Sequence, residues 1–178
     1  MKILEFEKIE STQKKAKELI QKLTPWTVIV AKEQTGGYGR KLGEKRDFWY
    51  SPKGGLYFTV VLPKLKTEKV PILTVLVAFS VAQFLKENFN FNVFIKLPND
   101  ILINGKKICG ILIENFILGG KVKGSIAGIG LNTNIEEFPE NLKNIATSLR
   151  IELGKKVNNK LILKKILKVL KENLEILT

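Results

Sequence analysis

An α+β fold, a mixed, largely antiparallel sheet with helices packed on one side, is what this sequence predicts. Two observations carry the prediction. Short apolar runs rich in β-branched residues follow one another through tight turns, two of them hairpin signals at Asn104-Gly105 and Gly119-Gly120. Three other stretches place apolar residues at helical spacing. At 178 residues the chain reads as a single domain, 1–178, long enough to bury a core.

In chain order, Lys2 to Ile9 reads as a first strand. Ser11 fits a helix N-cap, and Ala16, Leu19, Ile20 and Leu23 give an amphipathic helix that Pro25 stops. Trp26 to Ala31 and Leu56 to Val61 are strands, separated by a long polar loop from Gln34 to Pro52. Pro63 to Pro71 is a connector. Ile72 to Asn88 is a buried helix despite its β-branched content. Phe91 to Lys96 is a strand that Leu97-Pro98-Asn99-Asp100 breaks. Ile101 to Ile103, Lys106 to Asn115 and Val122 to Ile129 complete the hairpins. A short helix is expected near Leu142 to Leu149, and a final amphipathic one from Lys160 to Leu177.

Composition removes several chemistries. The single cysteine, Cys109, excludes an internal disulfide framework and a multi-thiolate zinc site. The absence of histidine excludes Ser-His and Cys-His nucleophilic pairs and His-ligated metals. No apolar run without polar interruption reaches the ~18 residues of a membrane span. MKILEFEKIE lacks a signal-peptide pattern, so a cytoplasmic protein without a membrane partner is expected. The net charge is +13, nearly all from lysine, with much of it between Lys155 and Lys171. That cluster reads as the outer face of a terminal helix rather than a nucleic-acid site, because no aromatic residues interleave it.

The arginines are rare: only Arg40, Arg46 and Arg150. Two of them fall in the Gln34–Pro52 loop, beside Gly36, Gly37 and Gly39, with Lys41 and Lys45 adding charge. Glycines let a backbone lie close to a ligand, and forked guanidinium donors grip phosphate. The loop by itself reads equally as an anion site or a solvated surface loop. Lys96 to Asp100 reads first as a turn beside an edge lysine, and second as a lysine facing developing negative charge. Gly110 inside a strand marks a bulge or a close approach. Cys109 beside it reads as a small buried residue, since nothing is present to activate it. Gly128-Ile129-Gly130-Leu131-Asn132 ends a strand; its asparagines suit either a turn or recognition of a nucleobase or ribose.

Taken in order, Ser11-Thr12-Gln13, Gln34 to Arg40, Trp49-Tyr50-Ser51-Pro52, Lys96 to Asp100, Lys107 to Glu114 and Gly128 to Asn132 resemble the motif series of the biotin protein ligases. That series runs Ser-Thr-Asn, Gln-Thr-x-Gly-Arg-Gly-Arg-x-Gly-Arg, Trp-x-Ser-Pro, Lys-Trp-Pro-Asn-Asp, Lys-x-x-Gly-Ile-Leu-x-Glu and Gly-x-Gly-x-Asn. The resemblance spans Glu10 to Asn134. It implies the class II synthetase-like, biotin/lipoate ligase-like fold and an ATP-dependent two-step reaction. Biotin is activated as biotinyl-5′-AMP and then passed to a lysine of a biotin carboxyl carrier domain. No protein nucleophile is needed, only cations and donors around phosphate. By motif match, Lys96 and Arg40 are the catalytic candidates. Ser11, Thr12, Gln13, Gln34, Gly37, Tyr38, Gly39, Arg40 and Lys96 fall on the biotin side. Arg40, Trp49, Lys96, Asn99, Lys107 and Asn132 fall on the ATP side. Mg2+ is expected with ATP, its ligands unassigned, and a homodimer is expected.

Three departures stand out. Tyr38 replaces the family's first loop arginine, Gln13 its asparagine and Leu97 its second tryptophan. The loop is also longer, leaving Arg46 as the nearest match to its last arginine. No DNA-reading helix-turn-helix precedes Glu5 and no small β-barrel follows the last helix, so a catalytic domain without repressor function is expected. The rival readings are a lipoate or octanoate ligase or transferase, and a non-enzymatic binder of nucleic acid or an acidic partner.

Overall fold

The structure, a computed structural model, describes residues 1–42 and 45–177; side chains of residues 41–46 lie outside the description, and with them the loop cations Lys41, Lys45 and Arg46. Seven strands form one sheet: β1 (Lys2–Phe6), β2 (Thr27–Ala31), β5 (Leu56–Val61), β6 (Val93–Lys96), β7 (Asp100–Ile103), β8 (Lys106–Leu118) and β9 (Lys121–Leu131). Their spatial order is β1-β2-β5-β9-β8-β7-β6. Only β1 and β2 run parallel, joined through α1 (Thr12–Leu19); every other neighbouring pair is antiparallel. The mixed, largely antiparallel sheet is therefore the one the sequence predicts.

Alternation along the strands gives the sheet two unlike faces. Leu56, Phe58 and Val60 of β5, with Ala127, Ile129 and Leu131 of β9, face the long helices α2 (Leu73–Phe89) and α4 (Asn159–Glu175). Each of these side chains larger than alanine contributes about 1.5–3 kcal/mol. Ile29, Val61 and Ile126 point the other way, against Ala16 of α1. The one-sided packing expected from the sequence holds for the two long helices; α1 takes the opposite face. The physical reason is the parallel β1–α1–β2 crossover, whose helix covers the face that α2 and α4 leave open.

Local signals explain most boundaries. Ser11 caps α1 by accepting from Lys14 N, and Asn158 caps α4 by accepting from Leu161 N. Asn104-Gly105 and Gly119-Gly120 both carry the positive φ that tight hairpin turns require. By length and composition Thr67–Phe89 could cross a membrane, but Leu73, Val77, Ala78, Val81, Phe84 and Leu85 are buried against the sheet side of the core, which accounts for its hydropathy.

Two sequence expectations shift. The long Gln34–Pro52 loop contains a two-stranded ribbon, β3 (Tyr38–Leu42) with β4 (Lys45–Phe48). The short helix expected near Leu142–Leu149 forms later, as α3 (Leu149–Leu153). Ser148 accepts from Ile151 N at its start, and Gly154, at φ +68°, ends it. Residues 142–146 are instead held as turns, with Ala146 bridged to Lys107.

Candidate active site

The face of the sheet opposite α2 and α4 is built around three glycines. Gly110 of β8 lies directly across from Gly130 of β9, and Leu112 lies across from Gly128. These positions point away from the core, so their missing side chains leave a slot above the sheet. Trp49 fills part of it. A Cβ at Gly130 would stand 2.4 Å from Trp49 Nε1, and one at Gly110 would stand 3.0 Å from Trp49 Cζ3. Gln13 fills the next part, since a Cβ at Gly128 would stand 2.5 Å from its Oε1. Two glycine motifs far apart in sequence thus serve one surface.

The wall of the slot is a partly buried chain of hydrogen bonds. The Thr12 amide donates to Gln34 Oε1 at 2.8 Å, and Gln34 Nε2 donates to Ser51 Oγ at 2.9 Å. Ser51 Oγ then donates to the Trp49 carbonyl at 2.9 Å. Thr59 donates to Gln13 Oε1 at 3.1 Å, while Gln13 Nε2 donates to the Leu112 carbonyl at 3.3 Å. Gly37 sits under this wall, where a Cβ would stand 2.5 Å from Ser51 Oγ. Neutral donors and acceptors so arranged suit a polar, uncharged ring better than an anion.

Charge enters at the other end. A bulge in β8 at Ile108 shifts the register between Ile101 and Leu102 of β7. Ile108 and Cys109 both turn into the core, which re-aims Lys107 onto the cleft face. Its Nζ lies 2.8 Å from Asp100 Oδ1 and 5.0 Å from the centroid of the Trp49 ring. Asn132 is fixed by its amide donating to the Ile108 carbonyl and its Nδ2 to the Thr147 carbonyl.

Two adjoining cavities result. A cleft of about 90 Å³ is lined by Ser11, Thr12, Gln13, Gln34, Tyr38, Gly39, Arg40, Trp49, Asn99 and Lys107 from the sequence-predicted set. A second, of about 230 Å³, lies beyond Trp49 and Lys107 and is lined by Asn132, Phe138, Leu142 and Ile145. Trp49 Nε1, Asn99 Oδ1 and Asn132 Oδ1 are buried without a hydrogen-bond partner in the protein, and all three line one or both cavities. Buried polar groups are nearly always satisfied, so orphans gathered at cavities mark a place for a polar ligand.

Lys96 is the sequence candidate that the structure displaces. It is exposed at the end of edge strand β6, opposite Asp100, and outside the cleft lining. The cation seated in the cleft beside Asp100 is Lys107. Asp100 itself, read from sequence as a turn residue, is a lining residue, as are Asp47, Gly110 and Gly130. A lysine seven residues after an Asn-Asp turn was the available signal, but only the bulge brings the pair together. Cys109 is fully buried and its burial pushes the thiol well above its ordinary range, in keeping with an inert core residue. Among the described residues no group of three or more carboxylate or thiolate ligands could cage a metal.

Comparisons with known proteins agree with this geometry. Residues 5–132 match the model of the Biotin/lipoate A/B protein ligase family. The bifunctional ligase/repressor BirA of Bacillus subtilis is 41% identical over 164 residues, covering 89% of this chain and 49% of that protein. The chain therefore spans about half the length of that relative. The biotin protein ligase of Aquifex aeolicus in complex with biotin and ATP superposes with a TM-score of 0.82 at 35% identity, covering 98% of this chain and 70% of that one. The Leishmania major enzyme in complex with biotinyl-5-AMP gives 0.74 at 28% identity, covering 99% and 79%.

Proposed function

The chain belongs to the biotin/lipoate A/B protein ligase family, and from that premise we propose that it is the catalytic part of an ATP-dependent biotin protein ligase. The observation that carries the proposal is the paired cavity, with a neutral hydrogen-bonding wall at one end, orphaned donors and acceptors, and Lys107 between the two halves. Biotin's ureido ring fits the Ser11, Thr12 and Gln34 end; the nucleotide base fits beside Trp49, Asn132 and Phe138. The similar Aquifex and Leishmania structures hold biotin with ATP and biotinyl-5-AMP, which supports a cleft that takes both an acid and a nucleotide.

In the first step a biotin carboxylate oxygen attacks the α-phosphorus of ATP. A P–O bond forms, the bond to the bridging oxygen of the β-phosphate breaks, and pyrophosphate leaves. Lys107, held by Asp100 above the glycine floor, would face the negative charge that grows on the α-phosphate, which is the electrostatic stabilisation such a transfer needs. Arg40 lines the mouth and would hold the adenylate by its phosphate. Asn132 Oδ1 is free to accept from an exocyclic amine, and Trp49 Nε1 to donate. In the second step a lysine amine of a biotin carboxyl carrier domain attacks the acyl carbonyl and AMP leaves, the amine proton passing to solvent. Mg2+ would come with ATP. It takes one or two carboxylates plus phosphate oxygens and water rather than a protein cage, and Asp100 and Asp47 are the cleft carboxylates that fit. A homodimer is the assembly we propose, to be checked by sedimentation.

The family model covers lipoate enzymes as well as biotin enzymes, so the acid must be tested directly. The protein is incubated with Mg-ATP and biotin, lipoate or octanoate, and bound acyl-adenylate is read by mass spectrometry. Biotinyl-AMP alone is expected. A lipoyl or octanoyl adenylate would move the chain to the rival branch. No adenylate with any acid would overturn the enzymatic reading; salt-dependent binding of nucleic acid would then point to a binding module.

A further inference from the structure

Past Leu112, the cleft side of β8 continues to Glu114, and three elements meet there. Lys17 of α1 places its Nζ 2.6 Å from Glu114 Oε1. The Tyr38 hydroxyl, at the start of β3, donates to Glu114 Oε2 at 3.4 Å. Lys17 Nζ also lies 5.8 Å from the centroid of the Tyr38 ring. Glu114 pairs across the ladder with Ile126, which is fully buried. Its own side chain is partly exposed, and the ion pair and hydrogen bond hold it against the sheet.

The glycine loop enters this region on backbone ties. Gly36 N–H donates to the Glu10 carbonyl at 2.8 Å, and Trp49 N–H to the Gly37 carbonyl at 2.9 Å. From Tyr38 onward the chain leaves the sheet as the ribbon that carries Gly39 and Arg40 to the mouth of the cleft. Tyr38 lines that cleft, whereas Lys17 and Glu114 stand behind it.

We propose that Lys17, Glu114 and Tyr38 form a latch that holds the glycine loop against the sheet before any ligand binds. The three are positioning residues. None touches a reacting atom; together they anchor Tyr38, the residue from whose backbone Gly39 and Arg40 follow. A loop ordered in advance loses less freedom when the acid binds, so the latch acts on affinity for the acid rather than on the chemical step. This consequence rests on the proposed ligase function; the latch itself does not.

Hydrogen–deuterium exchange of the ligand-free protein tests it. In Glu114→Gln and Tyr38→Phe the amides of residues 36–40 are expected to exchange about tenfold faster, with the rest of the sheet unchanged. The exchanged pair Lys17→Glu with Glu114→Lys is expected to restore slow exchange, because its partly exposed positions tolerate either order of charge. In adenylation assays of Glu114→Gln, whose side chain lies outside the cleft lining, the KM for biotin is expected to rise about tenfold with kcat unchanged. Wild-type exchange in both single variants would overturn the latch, and so would equal acceleration across the whole sheet. Failure of wild-type protein to adenylate biotin would remove the proposed function alone, since the exchange experiment uses no ligand.

Discussion

Lys107 and Asp100 form the ion pair to which the proposed chemistry of the cleft is assigned. Their 2.8 Å contact holds an ammonium over the face of Trp49 and beside the glycine floor. Replacing Lys107 by Ala removes the cation and strands the Asp100 carboxylate. Adenylate formation, read as pyrophosphate release, is expected to fall by about 10²–10³, the cost of losing one preorganised electrostatic contact. Lys96→Ala is expected to stay within about threefold of wild type, because an exposed charge is screened by water and salt. The reverse ranking would return the main role to Lys96. Arg40 works at the mouth. Arg40→Gly is expected to make adenylate but release it faster, seen as biotinyl-AMP in the filtrate rather than on the protein; retention equal to wild type would reject that role.

At the scale of elements, β8 and β9 build the cleft by what they omit and by one extra residue. Opposed glycines open the slot, and the Ile108 bulge turns Lys107 into it. Gly130→Ala would drive a methyl group to 2.4 Å from Trp49 Nε1. The indole must leave, so tryptophan emission is expected to shift red and adenylation to fall. Gly124, in the same strand, has room for a Cβ, and Gly124→Ala is expected to change neither signal. Strand and turn positions were readable because their causes are local: Asn104-Gly105 needs only its own φ angles, and Ser11 needs only an amide three residues on. The ribbon within the Gln34–Pro52 loop was not readable, since its strands lack apolar alternation. The α3 boundary was missed because Leu142 and Leu149 repeat at helical spacing while Ser148 supplies the actual start.

The whole molecule keeps its two sheet faces for different work: one buries the helices, the other carries α1 and the cleft. Among the described residues, Cys109 and Tyr57 are ionisable groups locked inside it. Burial raises the Cys109 thiol above its ordinary 9.0 and the Tyr57 hydroxyl above its ordinary 10.0. In the unfolded chain both ionise first, so the folded state binds more protons at alkaline pH. Their contribution is complete below those ordinary values and falls progressively as pH rises above them toward the raised values of the folded state. Unfolding free energy from urea titrations is therefore expected to drop between about pH 8 and about pH 10.5. The drop should be smaller in Cys109→Ala and in Tyr57→Phe; identical slopes in wild type and both variants would contradict the assignment. By itself the sequence determined the sheet-and-helix class, most element positions, the absence of histidine chemistry and about half of the cleft lining, ten residues of nineteen, because periodicity, caps, turns and motif order are written locally along the chain. Only the tertiary structure decided that Lys107 rather than Lys96 occupies the cleft, that Gly110 and Gly130 share one slot under Trp49, and that Tyr38 reaches Glu114. Those facts depend on ladder register, a single bulge and contacts between residues far apart in sequence, which no local pattern encodes.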